Sequence, residues 1–149
     1  MTKIRLTKEF DFEMAHSLLN YDGLCKHIHG HSYKLAVTVI ASPNWDKNSP
    51  KRGMVMDFGD LKKIVNRLIT KPLDHAFVVN SETPKEWLTE DNELFGRTYK
   101  VDYQPTCENM VIDFANKIKK ELPDNVKLFR VKLHETATSY AEWYASDQI

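Results

Sequence analysis

The sequence is poor in cysteine, with two residues, Cys25 and Cys107, in 149. A pair so far apart makes no disulfide framework, and a reducing, cytoplasmic location is the expectation that follows. Net charge is also lacking, since 21 basic side chains balance 21 acidic ones. That balance argues against a general nucleic-acid or membrane-surface binder, which would carry a basic excess. It leaves room for a local cluster of Lys and Arg serving one phosphorylated small molecule. No apolar run approaches the roughly 18–20 residues of a membrane span. Met1-Thr2-Lys3-Ile4-Arg5 passes directly into a strand pattern, without the apolar core of a signal peptide. Repeats and low-complexity segments are missing too. What is present is ordinary: 42% hydrophobic and 28% charged residues, the make-up of a soluble globular protein. The length suits a single domain, 1–149, with one core.

Residues 4 to 16 alternate, with Ile4, Leu6, Phe10, Phe12 and Met14 on one parity and Arg5, Thr7, Glu9, Asp11 and Glu13 on the other. This predicts a long strand with one wet face, and His16 continues its buried side. Alternation resumes from His29 to Ala41 in a second strand, plausibly antiparallel to the first. The segments 17–24 and 42–53 read as loops. Asp57 can cap a helix whose apolar stripe is Phe58, Leu61, Ile64, Val65, Leu68 and Ile69, ended by Pro72. Residues 81–104 read as a long connection, either a lid or interface element or a solvated excursion pinned by its aromatics. Thr106 caps a second helix with Met110, Val111, Phe114, Ala115, Ile118 and Leu122 inward. Val126 to Glu135 and Tyr140 to Tyr144 read as two further strands. The order β-β-α-α-β-β predicts an α+β fold, an antiparallel sheet with both helices on one face.

The chemistry concentrates in Cys25-Lys26-His27-Ile28-His29-Gly30-His31. His29 and His31 project to one strand face because side chains repeat every two residues, and His16 lies on the buried side of the neighbouring strand. Three imidazoles suit zinc with its fourth position open. The plain alternative is three partly buried, hydrogen-bonded histidines. Cys25 either closes such a site as a fourth ligand or stands beside it as a thiolate base or nucleophile. His27 reads as a surface residue and Cys107 as a small buried one. Asp74-His75 is either an orienter-and-shuttle pair or a turn aspartate beside an exposed histidine. Glu135 shares parity with Phe129, Val131 and Leu133, so its carboxylate needs a partner. A ligand with paired N–H donors would satisfy it, as would a backbone or Arg group.

Six blocks occur in order: Phe12-Glu13-Met14-Ala15-His16; Cys25-x-x-x-His29-Gly30-His31-Ser32-Tyr33; Gly53-Met54-Val55-Met56-Asp57-Phe58-Gly59-Asp60-Leu61-Lys62; Leu73-Asp74-His75; Pro105-Thr106-Cys107-Glu108-Asn109; and Glu135-Thr136. Together they resemble the 6-pyruvoyltetrahydropterin synthase / 6-carboxytetrahydropterin synthase family over nearly the whole chain. The resemblance implies the tunnelling fold (T-fold), whose order is β-β-α-α-β-β. It implies His16, His29 and His31 as Zn2+ ligands and Cys25 as catalytic base, with Asp74 and His75 as its relay. Glu135 would grip the pterin ring and, as a catalytic residue, assist proton movement there, in a pocket that the Thr106 block completes. The site would form between subunits of a homohexamer, a dimer of trimers. The spacing of Cys25 to His29 resembles the bacterial carboxy enzymes of the queuosine route. Cys107 departs from the family, which commonly has a small hydroxyl residue there, and the 81–104 connection is longer than in short bacterial members.

The activity so implied is a zinc-dependent lyase acting on 7,8-dihydroneopterin triphosphate. It would release triphosphate and acetaldehyde and leave 6-carboxy-5,6,7,8-tetrahydropterin. Alternatives are a 6-pyruvoyltetrahydropterin synthase that stops after triphosphate elimination, a non-catalytic pterin-binding or structural-zinc module closed by Cys25, and a three-histidine zinc hydrolase. Lys26, Lys34, Lys51 and Arg52 are candidates for the triphosphate, or merely solvated. No nucleic-acid or membrane partner is expected.

Overall fold

Strands β1 (Ile4–His16) and β2 (His29–Ala41) pair antiparallel along their whole length in the computed structural model, which describes residues 1–89 and 91–149. Four more strands extend this ladder: β3 (Ala76–Asn80), β4 (Thr98–Val101), β5 (Lys127–Thr136) and β6 (Ser139–Tyr144), in the spatial order β4-β3-β1-β2-β5-β6. The sheet buries the parity that carries Phe10, Phe12, Met14 and His16 on β1 and Tyr33, Leu35, Val37 and Val39 on β2. Glu9, Asp11 and Glu13 stay exposed on the other face. Helix α1 (Phe58–Val65) and helix α2 (Cys107–Lys119) deliver Leu61, Val65, Met110, Val111, Phe114, Ala115 and Ile118 to the same core. Both helices therefore cover one face of the sheet. Asp57 caps α1 by accepting from Gly59 N–H at 2.8 Å, and Thr106 caps α2 by accepting from Asn109 N–H at 3.2 Å. Among the described residues, no helix is long and apolar enough to cross a membrane.

The α+β architecture and the four expected strands are as read from the sequence, and those four are antiparallel to one another. β3 and β4 are additions. They pair parallel, β3 to β1 and β4 to β3, so the sheet is mixed. Neither segment shows period-2 alternation. Val78 and Val79 are adjacent and both buried, as expected of a short strand covered on both faces. Pro72 does not end the first helix. Winding continues through a π turn, Asn66–Thr70, into a last turn, Lys71–Leu73. The proline lies inside that last turn, and the helical winding ends one residue after it, at Leu73.

The parity shared by Phe129, Val131 and Leu133 also fails at one position. A bulge between Thr38 and Val39 pairs them with Arg130 and Leu128, leaving Phe129 as the extra residue. Leu128 takes the core position, and Phe129 lies with the Arg5 guanidinium 4.0 Å from its ring centroid. A second irregularity, between His134 and Thr136 in the β5–β6 ladder, frees Glu135 from pairing.

Phe114 is 1% exposed and meets Phe12 edge-on, with ring centroids 6.4 Å apart. Phe114→Ala should therefore destabilise the fold by about 3–5 kcal/mol, read as a lowered urea unfolding midpoint.

Candidate active site

The β1–β2 register sets His16 opposite His29 and Met14 opposite His31. The three imidazoles meet at the end of the ladder, with ring centroids 4.5 Å (His16–His29), 5.0 Å (His29–His31) and 5.2 Å (His16–His31) apart. One nitrogen from each lies within 4.8 Å of the others, so the group could hold a metal ion. Cys25 and His27 stand outside it.

Backbone carbonyls choose the tautomers. A carbonyl can only accept, so His16 Nδ1–H donates to Pro105 O at 2.8 Å and His29 Nδ1–H donates to His27 O at 2.7 Å. In the neutral rings both Nε2 atoms then carry bare lone pairs, and these face each other at 2.9 Å. Two lone pairs at that distance repel unless a cation lies between them. His31 Nε2 is buried, stands 3.2 Å from Glu135 Oε1 and makes no hydrogen bond. These unsatisfied nitrogens fit a metal ion, and the fixed outer nitrogens orient two of the three rings for it. Burial is the first cause that lowers the His16 pKa from 6.5 to about 4; the Pro105 carbonyl opposes it, and the other two imidazoles add to it. His31 is also lowered, first by burial, against the pull of Glu135.

Asp74 and His75, neighbours whose side chains need not meet, do meet: His75 Nδ1 stands 3.1 Å from Asp74 Oδ1. The same oxygen accepts from Glu13 N–H at 2.9 Å, and His75 N–H donates to Glu13 O at 2.6 Å. His75 has φ +62°, a left-handed conformation that its backbone contacts must hold. One Arg97 nitrogen donates to the carbonyls of Lys71, Pro72 and Asp74, fixing the turn from behind. The Glu13 N–H is the first cause that lowers the Asp74 pKa, with His75 and Arg97 adding smaller contributions. Cys25, half-buried in the turn Leu24–Lys26, makes no hydrogen bond or ion pair to either residue among those described.

Glu135 lines a cavity of about 500 Å³ with Cys107, Glu108, Ser139, Tyr140 and Ala141. The Cys107 thiol is buried there and donates to Leu133 O at 3.1 Å; burial raises its pKa to about 11, so it stays protonated. Thr106 lies next in sequence, its hydroxyl engaged as the α2 cap. Of the basic candidates, Lys51 is paired with Asp57 at 2.7 Å on the surface. The sequence carries no sign of the Pro105 and His27 carbonyls, because any residue type supplies one. Glu13 and Arg97 likewise give no motif that ties them to Asp74-His75.

The fold is a T-fold, a curled mixed six-stranded sheet with two helices, and a three-histidine group that could hold a metal ion lies at the end of the β1–β2 ladder. The family model described as 6-pyruvoyl tetrahydropterin synthase matches residues 5–146, and the chain belongs to that family. A curated relative from Haemophilus influenzae, named 6-carboxy-5,6,7,8-tetrahydropterin synthase, is 36% identical over 93% of this chain and 97% of its own. A relative of the same name from Aquifex aeolicus is 32% identical over 95% of this chain and 98% of its own. Among solved structures, 6-pyruvoyl tetrahydropterin synthase from Caenorhabditis elegans superposes with a TM-score of 0.67 at 24% identity, covering 97% of each chain. An uncharacterised protein from Wolinella succinogenes superposes with a TM-score of 0.79 at 23% identity, covering 97% of this chain and 99% of its own. At those identities the structures support the fold alone.

Two outcomes follow. His31→Ala should leave the protein folded but abolish stoichiometric metal binding, measured as metal per chain after loading and desalting. In the metal-free protein, the unfolded chain holds a proton on His16 between about pH 4 and 6.5 that the folded chain lacks. Stability should therefore fall as pH drops through that window, and His16→Gln should flatten the dependence of the urea midpoint on pH.

Proposed function

We propose that the protein is a zinc-dependent 6-carboxy-5,6,7,8-tetrahydropterin synthase acting on 7,8-dihydroneopterin triphosphate in a cytoplasmic queuosine or 7-deazapurine route. The observation that carries this reading is the three-histidine group with Glu135 3.2 Å from His31. On this reading the carboxylate that would anchor the pterin lies beside the group that would hold the metal. The curated relatives' names support the same product. Zn2+ held by His16, His29 and His31 would polarise side-chain oxygens of the substrate and acidify the adjacent C–H. Cys25 as thiolate takes that proton, and His75 oriented by Asp74 receives it. Glu135 accepts hydrogen bonds from the pterin N–H groups, and Thr106 holds the wall beside it. Triphosphate leaves, and cleavage of the side chain with uptake of one water releases acetaldehyde and leaves the carboxyl group at C6. Because Cys25 lies outside the histidine group, the reading favours an open metal position over a structural clasp.

A homohexamer built from two trimers completes the reading. Among the described residues, β1 pairs with β3 only over Met14–His16, so residues 4–13 offer an unpaired edge, and β6 pairs only with β5. Joining the β6 edge of one copy to the β1 edge of the next would close a ring and remove both edges. Such a boundary also supplies a way for Cys25 of one subunit to meet Asp74 and His75 of another.

Incubating the zinc-loaded protein with 7,8-dihydroneopterin triphosphate should yield acetaldehyde and the 6-carboxy product by mass spectrometry. A pyruvoyl product without acetaldehyde would move the chain to the 6-pyruvoyltetrahydropterin synthase branch, and no turnover would leave a binding module. Cys25→Ala should keep its zinc and lose about 10²–10⁴-fold in turnover; wild-type turnover would remove the base assignment.

A further inference from the structure

The loop of residues 17–26 presents Cys25, yet it is thinly supported from within. Leu18 N–H donates to Cys25 O at 2.9 Å, Tyr21 N–H to Leu18 O at 3.2 Å, and Lys26 N–H to Gly23 O at 3.4 Å. From outside, one side chain grips it. Leu19 N–H donates to Gln104 Oε1 at 3.1 Å, and Gln104 Nε2 donates to Leu19 O at 2.8 Å. A single primary amide thus satisfies both backbone groups of one loop residue, much as a neighbouring strand would. The clasp is itself anchored. Gln104 Oε1 also accepts from Asn80 Nδ2 at 3.3 Å, at the end of β3. The Gln104 carbonyl accepts from Thr106 N–H at 2.7 Å and from Asn109 Nδ2 at 3.0 Å, at the start of α2. From the amide the path to the thiol is short, through Leu19 to its neighbour Leu18 and across one hydrogen bond to Cys25.

We propose that Gln104 is a positioning residue for Cys25, its amide clasping Leu19 so that the loop holds the thiol in place. This rests on the reading of Cys25 as the base. Gln104 differs from a general stabilising contact in its target, because it grips the loop backbone at two points. It also adjoins Pro105, whose carbonyl orients His16, so one short segment references the thiol and a metal ligand to the same frame. A small misplacement of a reacting group can cost about 100-fold in rate.

The test compares the full-length, zinc-loaded wild type with Gln104→Ala and with Gln104→Glu, which keeps the acceptor but loses the donor to Leu19 O. Four quantities are read: kcat and KM with 7,8-dihydroneopterin triphosphate, zinc per chain, Tm, and the iodoacetamide alkylation rate at Cys25 and Cys107 by peptide mapping. For Gln104→Ala the expected result is kcat lowered about 10–100-fold with KM and zinc unchanged. Alkylation should be several-fold faster at Cys25 and unchanged at the buried Cys107, and Gln104→Glu should fall between. Wild-type kcat, or an unchanged Cys25 rate, overturns the proposal. Equal acceleration at both cysteines with a collapsed Tm, or loss of zinc, also overturns it, assigning Gln104 to general stability or to His16. If Cys25→Ala itself keeps turnover, the base assignment fails, and the alkylation rates still decide whether Gln104 holds the loop.

Discussion

The antiparallel pairing of β1 with β2 is the constraint on which the rest depends. It runs through thirteen residue pairs, from Ile4–Ala41 to His16–His29. Slipping the register by one residue would turn one strand's apolar set toward solvent, and on β2 that would carry His29 and His31 away from His16. The core therefore enforces the register that the site requires. Phe12 stacked on Tyr33 at 5.2 Å and Leu35 opposite Phe10 are packing contacts, yet they set the relative height of three imidazoles.

That placement creates an electrostatic problem which the chain leaves open. His16 is 1% exposed and has its Nδ1 committed to a carbonyl. Taking up a proton at Nε2 would bury a charge beside two other imidazoles, which is why its pKa falls to about 4. The protein keeps the ring neutral and aims its lone pair at another. A buried polar atom without a partner costs of order 1–3 kcal/mol, and His31 Nε2 adds to that cost. A cation bound to all three would offset it, so the geometry stores metal affinity as unsatisfied polarity. Glu135 contributes from β5. Freed from the β5–β6 ladder by a bulge, its carboxylate stands 3.2 Å from His31 Nε2 without closing the group.

The sequence made most of this visible where chemistry followed periodicity. Alternation in 4–16 and 29–41 predicted the two strands and the shared face of the histidines, and Asp57 and Thr106 stood where helices begin. Legibility ended where backbone geometry took over from side-chain pattern. β3 and β4 are too short and too evenly apolar or mixed to show a period, and one extra residue at Phe129 reverses parity with no local mark. The carbonyls that set the histidine tautomers belong to Pro105 and His27, the second of which reads from sequence as a bystander. Its imidazole is one; its carbonyl orients His29. Gln104 and Arg97 lie in or beside a connection that shows no motif, because their work is to hydrogen-bond main chain, which has no sequence of its own.

The Asp74–His75 pair poses the sharpest question about the single chain. It is exposed, with the His75 side chain at 74% and the Asp74 side chain at 46%. Even so, it is more tightly determined than exposed turns require. A non-glycine residue at φ +62° costs about 1–3 kcal/mol, and Glu13 and Arg97 together spend five hydrogen bonds holding it. Such rigidity at a solvated surface gains little for an isolated subunit, where water would compete for every one of these groups. It makes sense if the surface is an internal one. The open edge of β1 ends at Glu13, the residue whose backbone clamps both Asp74 and His75. A copy docking along that edge would cover the pair, exclude water and meet an imidazole already held in place. On this argument the strain belongs to the proposed assembly, and the unpaired edge and the preset histidine would form one side of a single interface.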